Sequence, residues 1–162
     1  MKAGSRVFLV LALSALFACQ GGRAVENARQ ALAAGQLIEA VEIVSRYLER
    51  HPEADAKTHW VMERIRLEAL AKSKQGDQAF ENLERLATTY PALVDTSLYL
   101  ATAAWARAAG DAAGATRILD GGKKRFPQQA SQFAAAIDEI RRTPGEMDSA
   151  TVERLRSLGY LE

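Results

Sequence analysis

The chain has 162 residues and is almost electrically neutral, with 21 basic and 20 acidic residues. Such a balance offers no general attraction to the phosphates of nucleic acid, so we expect no nucleic-acid partner. A single cysteine excludes a scaffold built on internal disulfides.

The first eighteen residues have the order of an export signal. Lys2 and Arg6 give a basic start, and an apolar run from Val7 to Phe17 follows. Because a helix needs about 20 residues to span a bilayer, this shorter run predicts the core of a removable signal. Its removal leaves 19 basic and 20 acidic residues.

The end of this segment, Leu16-Phe17-Ala18-Cys19, resembles the bacterial lipobox. The resemblance implies that residues 1–18 are a lipoprotein signal peptide and that Cys19 carries lipid. Residues 19–22 would then form a lipidated amino terminus with a short linker. Gln20 stands where Asp usually retains a lipoprotein in the inner membrane, so the resemblance favours the outer membrane, facing the periplasm. The alternatives are an uncleaved anchor or a conventional signal cut nearby.

Alanine accounts for 31 of the 162 residues, and this abundance favours helix almost everywhere after Gly22. In three blocks an alanine precedes a proline by twelve residues: Ala40 and Pro52, Ala79 and Pro91, Ala115 and Pro127. Apolar residues recur at helical spacing within each interval. Proline cannot donate the next backbone hydrogen bond, so each interval predicts a helix that ends there.

A glycine precedes each of these helices, at Gly35, Gly76 and Gly110. Glycine can end the preceding helix in a left-handed conformation, and Asp77 or Asp111 can cap the following helix. Only three residues separate Gly76 from Ala79, against five in the other blocks, so we expect an irregular turn or first helix in block two. The first helices are predicted at about Arg23–Ala34, Ala56–Lys74 and Val94–Ala109.

This pattern of glycine turn, small residue and proline resembles tetratricopeptide repeats. The resemblance implies an all-α fold, a short α-solenoid of about three helical hairpins over residues 23–142, with capping helices after them. It also implies a groove along the first helices that receives a peptide or a partner helix. Arg29 and Arg107 occupy groove positions and are predicted to pair with acidic groups of a partner. The Lys and Asn clamp with which some members bind a carboxylate is absent from the matching positions.

Residues 143–162 predict a short carboxyl-terminal helix. Asp148 or Ser149 can cap its start, and Gly159 can end it with Tyr160 folding back. We interpret it as a helix that docks locally or onto a partner. Just before this segment, Phe133, Ile137 and Ile140 share a helix face that would cap the repeats.

Two glycines and three basic residues are adjacent inside the predicted third-block helix, as Gly121-Gly122-Lys123-Lys124-Arg125. Glycine is unfavourable within a helix, so close contact with another helix is the expected reason for the pair. The basic run is either a solvated helix end or a contact for lipid headgroups or an acidic partner.

The chain contains no recognisable catalytic motif. Its two histidines, His51 and His59, have no metal-ligand spacing, and there is neither a glycine-rich phosphate loop nor a Gly-x-Ser-x-Gly motif. We therefore expect no catalytic residue, metal, cofactor or small-molecule substrate.

These features together predict a non-catalytic, lipid-anchored periplasmic adaptor that binds a protein partner, in the manner of pilotins or envelope assembly factors. Two alternatives remain open. One is a small envelope enzyme or its catalytic subunit, and the other is a non-lipidated soluble repeat scaffold.

Overall fold

The structure, a computed structural model, describes residues 22–162, so the predicted signal peptide and Cys19 lie outside it. Over the described residues the chain is helical and contains no β-strand, which confirms the all-α prediction. The helices are residues 22–33 (α1), Leu37–Arg50 (α2), Ala56–Lys72 (α3), Gly76–Thr89 (α4), Thr96–Ala108 (α5), Ala112–Arg125 (α6), Ala130–Arg142 (α7) and Ser149–Ser157 (α8). Short 3-10 turns lie at Pro127–Gln129 and Pro144–Glu146.

The chain divides into two compact units, and the boundary between them lies inside α3. The described part of the first unit contains α1, α2 and α3 as far as Arg66. Its buried residues include the small side chains Ala28, Ala31 and Ala40. The second unit comprises Leu67–Glu162 and contains the remaining helices.

The second helices of the three blocks have the same length, and they begin and end in the same way. Each of α2, α4 and α6 has 14 residues. An aromatic ring or imidazole and then a proline follow each helix: His51-Pro52, Tyr90-Pro91 and Phe126-Pro127. The residue before each proline leaves the helical region, with ψ between 58° and 70°, because the proline ring disfavours helix there. The predicted ending of each helix at its proline is confirmed.

One turn geometry precedes all three of these helices. The left-handed residues are Gly35, Lys74 and Gly110, with φ of 74°, 60° and 80°. The next residue in each case donates its N–H to the carbonyl five residues earlier, at 2.9–3.1 Å, which closes the preceding helix. We expected an irregular turn or an irregular first helix in block two, and the first of these two alternatives is therefore wrong. Lys74 takes the turn position, five residues before Ala79, although a left-handed conformation costs an L-residue roughly 1–2 kcal/mol.

Gly76 lies inside α4, where its lack of a side chain lets α6 approach. A Cβ on Gly76 would lie 2.6 Å from the Cα of Gly114, and a Cβ on Gly114 would lie 2.7 Å from the Cα of Gly76. Beside this contact, the two carboxylate oxygens of Asp111 accept hydrogen bonds from the N–H groups of Gly114 and Gly76, both at 2.8 Å. One carboxylate thus caps two helices. The prediction that Asp77 can cap the helix after its own turn is wrong, because that carboxylate binds arginines instead.

Helix α6 contacts α4, α5, α7 and α8 in the second unit. Its paired glycines make room for two aromatic rings. A Cβ on Gly121 would lie 2.2 Å from the ring of Phe80, and a Cβ on Gly122 would lie 2.4 Å from the ring of Phe133. The predicted close helix contact is confirmed. A line of aromatic rings continues beside it, with centroids 5.6 and 6.4 Å apart, through Tyr99, Phe126 and Phe133.

The first helices lie within two residues of their predicted bounds. Helix α5 begins at Thr96 because the carboxylate of Asp95 accepts the N–H of Leu98 at 3.0 Å. Helix α3 ends at Lys72, two residues before the left-handed Lys74. None of the helices in residues 22–162 has the length and hydropathy needed to cross a membrane.

The double cap gives a testable difference between two aspartates. Asp111→Asn retains one acceptor oxygen for two backbone N–H groups, so we expect it to lower the free energy of unfolding by about 1–2 kcal/mol. Asp95→Asn is the matched control, because a single oxygen of Asp95 accepts both its bonds. We expect that control to cost less than about 0.5 kcal/mol. Urea unfolding followed by circular dichroism measures both changes, and equal costs would contradict the double cap.

Candidate partner-binding groove

A groove of about 510 Å³ opens between α5 and α7 in the second unit. Buried apolar residues of α5, α6 and α7 form its floor, namely Ala103, Ala115, Leu119 and Ile140. More exposed apolar residues line its sides: Leu100, Ala104, Ala108 and Ala136. The three residues from α5 are spaced by four and so share one helix face. This α5–α7 groove is a mostly apolar surface on which another segment can place side chains.

Arg107 lines the groove and binds two carboxylates of its own chain. Its Nη1 lies 2.8 Å from Oε1 of Glu139, and its Nε donates to both carboxylate oxygens of Glu146 at 2.9 Å. The hydrogen bond with Glu139, followed by those with Glu146, raises the pKa of Arg107 above its usual value. The guanidinium therefore remains charged and joins α5 to α7 and to the Pro144–Glu146 turn.

The ionisable residues lining the groove are Arg107, Glu139 and Glu146, so two negative charges meet one positive charge. Their exposure differs. The side chain of Glu139 is 66% exposed, against 27% for Arg107 and 23% for Glu146. The most exposed charged side chain of the groove is therefore the negative one of Glu139, whereas the sequence predicted Arg107 as the residue that pairs with a partner.

The other two predicted site residues lie elsewhere. Arg29 is exposed on α1 in the first unit. Cys19 lies outside the described residues. Partner binding by Arg29 and lipidation of Cys19 thus remain predictions.

Helix α8 docks on the second unit itself. Leu155 is completely buried, and Asp148 caps the helix by accepting the N–H of Thr151 at 2.8 Å. Gly159 has a φ of 80°, and Tyr160 donates its N–H to the carbonyl of Leu155 at 2.8 Å. The predicted cap and the predicted folding back after Gly159 are confirmed.

Two polar side chains anchor this segment. The hydroxyl of Tyr160 donates to Asp120 at 2.8 Å, and burial, together with this bond, raises the pKa of Tyr160 to about 12. Arg154 donates to both oxygens of Asp77 at 2.9 and 3.0 Å. Burial alone would raise the pKa of Asp77, but Arg117 and Arg154 outweigh that effect and lower it.

The basic run at the end of α6 is engaged within the second unit. Lys123 donates to the hydroxyl of Tyr160 at 3.1 Å, and Lys124 lies 2.6 Å from a carboxylate oxygen of Asp120. Arg125 donates to the carbonyl of Ala87 at 2.8 Å. Lys123 thus contacts the carboxyl-terminal segment and Arg125 joins α6 to α4, whereas the contact of Lys124 lies within α6.

A second, more polar cleft of about 690 Å³ lies beside α8. Its charged lining includes Asp111, which caps two helices, and Asp77 and Arg154, which bind each other. Three of the five charged residues that line this cleft are therefore already engaged in holding α4, α6 and α8, and the other two are Lys74 and Glu153.

The histidines lie near each other in the first unit. The Nδ1 atom of His51 is 3.2 Å from Oε1 of Glu53, and Nε2 of His59 is 3.3 Å from the carbonyl oxygen of His51. Across residues 22–162, no three or more His, Cys, Asp or Glu side chains are grouped so that they could hold a metal ion.

Sequence reasoning missed Glu139 and Glu146. Each lies more than thirty residues from Arg107 along the chain, so no local spacing connects them. The only available signal was that an arginine on an otherwise apolar helix face requires a partner. That signal predicts a carboxylate partner for Arg107, but it does not identify which Asp or Glu residue supplies it.

No family model matches this chain, and neither a curated protein nor a solved structure matches it significantly.

The Tyr160 contact predicts how alkali affects stability. The pKa of this hydroxyl in the folded protein, about 12, lies above its ordinary value of 10.0. The protonated hydroxyl therefore contributes stability that is complete below pH 10 and is lost as the pH rises towards 12. We expect wild type to be more stable than Tyr160→Phe at neutral pH and to lose that advantage between these values. Urea unfolding at a series of pH values tests this, and a pH-independent difference would contradict it.

Proposed function

We propose that this protein is a non-catalytic, lipid-anchored helical-repeat adaptor that holds a protein partner at a bacterial envelope membrane, on the periplasmic side of the outer membrane. The observation that carries the proposal is the apolar α5–α7 groove, formed between the first helix of block three and the helix that follows that block. Such grooves can receive a peptide or a partner helix.

The repeated local geometry supports a tetratricopeptide-like frame. Each block has a left-handed turn residue, a fully buried alanine five positions later and a proline twelve positions beyond that. The proline-to-proline steps of 39 and 36 residues exceed the usual tetratricopeptide period of about 34. Because the turn and the second helix have constant lengths, the difference between these steps lies in the first helices and their loops, with 17 residues in α3 and 13 in α5.

The chemistry of the groove suits recognition. Its walls carry alanine and leucine side chains, which contribute binding energy when an apolar partner surface covers them. Its charged groups bind one another, and so they supply orientation and selectivity at the rim.

The predicted anchor lies close to the helical domain. Cys19 precedes residue 22, which is already helical, by three positions. Even a fully extended chain covers no more than about 11 Å over that distance. Lipidated Cys19 would therefore hold the repeats against the membrane surface. Confinement there raises the effective concentration of a partner that is itself at the membrane, which is the mechanism we propose for the adaptor.

Lipidation can be tested by labelling cells with radioactive palmitate. We expect wild type to be labelled and to sediment with membranes, and Cys19→Ala to lose both properties because it lacks the acceptor thiol. Gln20→Ala is the neighbouring control and should retain both. Equal labelling of wild type and Cys19→Ala would eliminate the lipid anchor.

Partner binding can be tested with a photoreactive amino acid placed in intact cells. At Ala104, which is exposed on the side of the groove, we expect a discrete cross-linked adduct with one protein. Thr88 is the control position, because it is exposed on α4 and does not line the groove. Adducts absent at Ala104, or identical at both positions, would contradict the adaptor proposal.

A further inference from the structure

We infer that the segment bound in the α5–α7 groove carries a lysine or arginine that pairs with Glu139, beside apolar side chains that occupy the groove. This inference rests on the proposed function, because it names the chemistry of the partner which that groove receives. It reverses the expectation that an acidic group of the partner pairs with Arg107.

The first step is that Arg107 already binds two carboxylates of its own chain. Its Nε and Nη1 atoms bind Glu146 and Glu139, and Nη2 is 3.5 Å from the hydroxyl of Thr143. At Nε and Nη1 an incoming carboxylate would have to displace charge-assisted hydrogen bonds, which are among the stronger polar contacts in proteins. It would also meet two carboxylates of the groove, which repel it.

The second step is that Glu139 retains capacity to bind. Its carboxylate contacts Nη1 of Arg107 through Oε1. A carboxylate oxygen accepts more than one hydrogen bond. Since this side chain is 66% exposed, a cation can reach it without the structure opening. Arg142, three residues further along α7, is not among the residues that line the groove.

The third step concerns the apolar walls. Ala104 and Ala108 on α5 and Ala136 on α7 are small, so the space between these helices remains open for larger side chains of the partner. Leucine or phenylalanine of the partner would cover this surface. A cation one or two turns along the same partner helix would then lie at the rim near Glu139, and it would set orientation and discriminate among partners.

Two synthetic helical peptides test this chemistry. They share an apolar face of leucines and blocked termini, and they differ at a single position that is Lys in one and Glu in the other. Fluorescence anisotropy would measure their binding to the mature lipidated protein in nanodiscs of zwitterionic lipid, with empty nanodiscs as the blank. We expect the Lys peptide to bind about tenfold more tightly than the Glu peptide, a difference of about 1.4 kcal/mol.

Substitutions at Glu139 test whether this side chain causes the preference for the Lys peptide. Glu139→Gln should bring the ratio of the two affinities close to one, and Glu139→Lys should reverse the preference. Glu153→Gln is the matched control, because Glu153 is exposed on α8 outside the groove, and it should leave the ratio unchanged.

Equal binding of the two peptides, tighter binding of the Glu peptide, or no binding of either would overturn the inference. So would a preference that survives Glu139→Gln. The Ala104 cross-link separates this failure from failure of the proposed function. If that adduct forms in cells while the Lys peptide shows no advantage, the groove binds a partner and only the assigned charge is wrong.

Discussion

The second unit depends on how closely α4 and α6 approach at their amino-terminal ends. Gly76 and Gly114 touch there without side chains, and Asp111 caps both helices with one carboxylate. This arrangement satisfies backbone N–H groups that a helix leaves unpaired at its start, at a place with no room for two separate caps. The position of α6 follows from it. Because α5, α7 and α8 all pack on α6, their placement depends on the same contact.

The groove is a consequence of that packing. Residues of α6 form part of its floor, and α5 and α7 form its sides. Arg107 then binds Glu139 and Glu146, and so it connects the two sides to the turn after α7. In the proposed adaptor, this cluster contributes rigidity and a negative rim, and the alanines contribute the apolar surface. Recognition by such a groove requires no catalytic group.

The turn before α4 shows where a sequence pattern can mislead. Glycine is the residue most suited to a left-handed turn, so Gly76 is the natural choice for that position. The structure places Lys74 in the turn and uses Gly76 for contact with Gly114. The left-handed turn at position 74 and the close helix contact at position 76 both favour glycine, and the chain has glycine only at position 76. A left-handed lysine is tolerable at an exposed turn, whereas any side chain at Gly76 would separate the two helices.

The sequence by itself determined the all-α fold, the ends of the second helices at their prolines, the caps at Asp111 and Asp148, and the reversal after Gly159. These features depend on local backbone chemistry within a few residues, and that chemistry is visible in the order of the residues. Only the tertiary structure decided that Asp111 serves a second helix 35 residues away, that Arg107 is bound by Glu139 and Glu146, and that Tyr160 reaches Asp120. Such contacts join residues that packing brings together, and many carboxylates in the chain satisfied the same chemical requirement before α6 and its neighbours were in place.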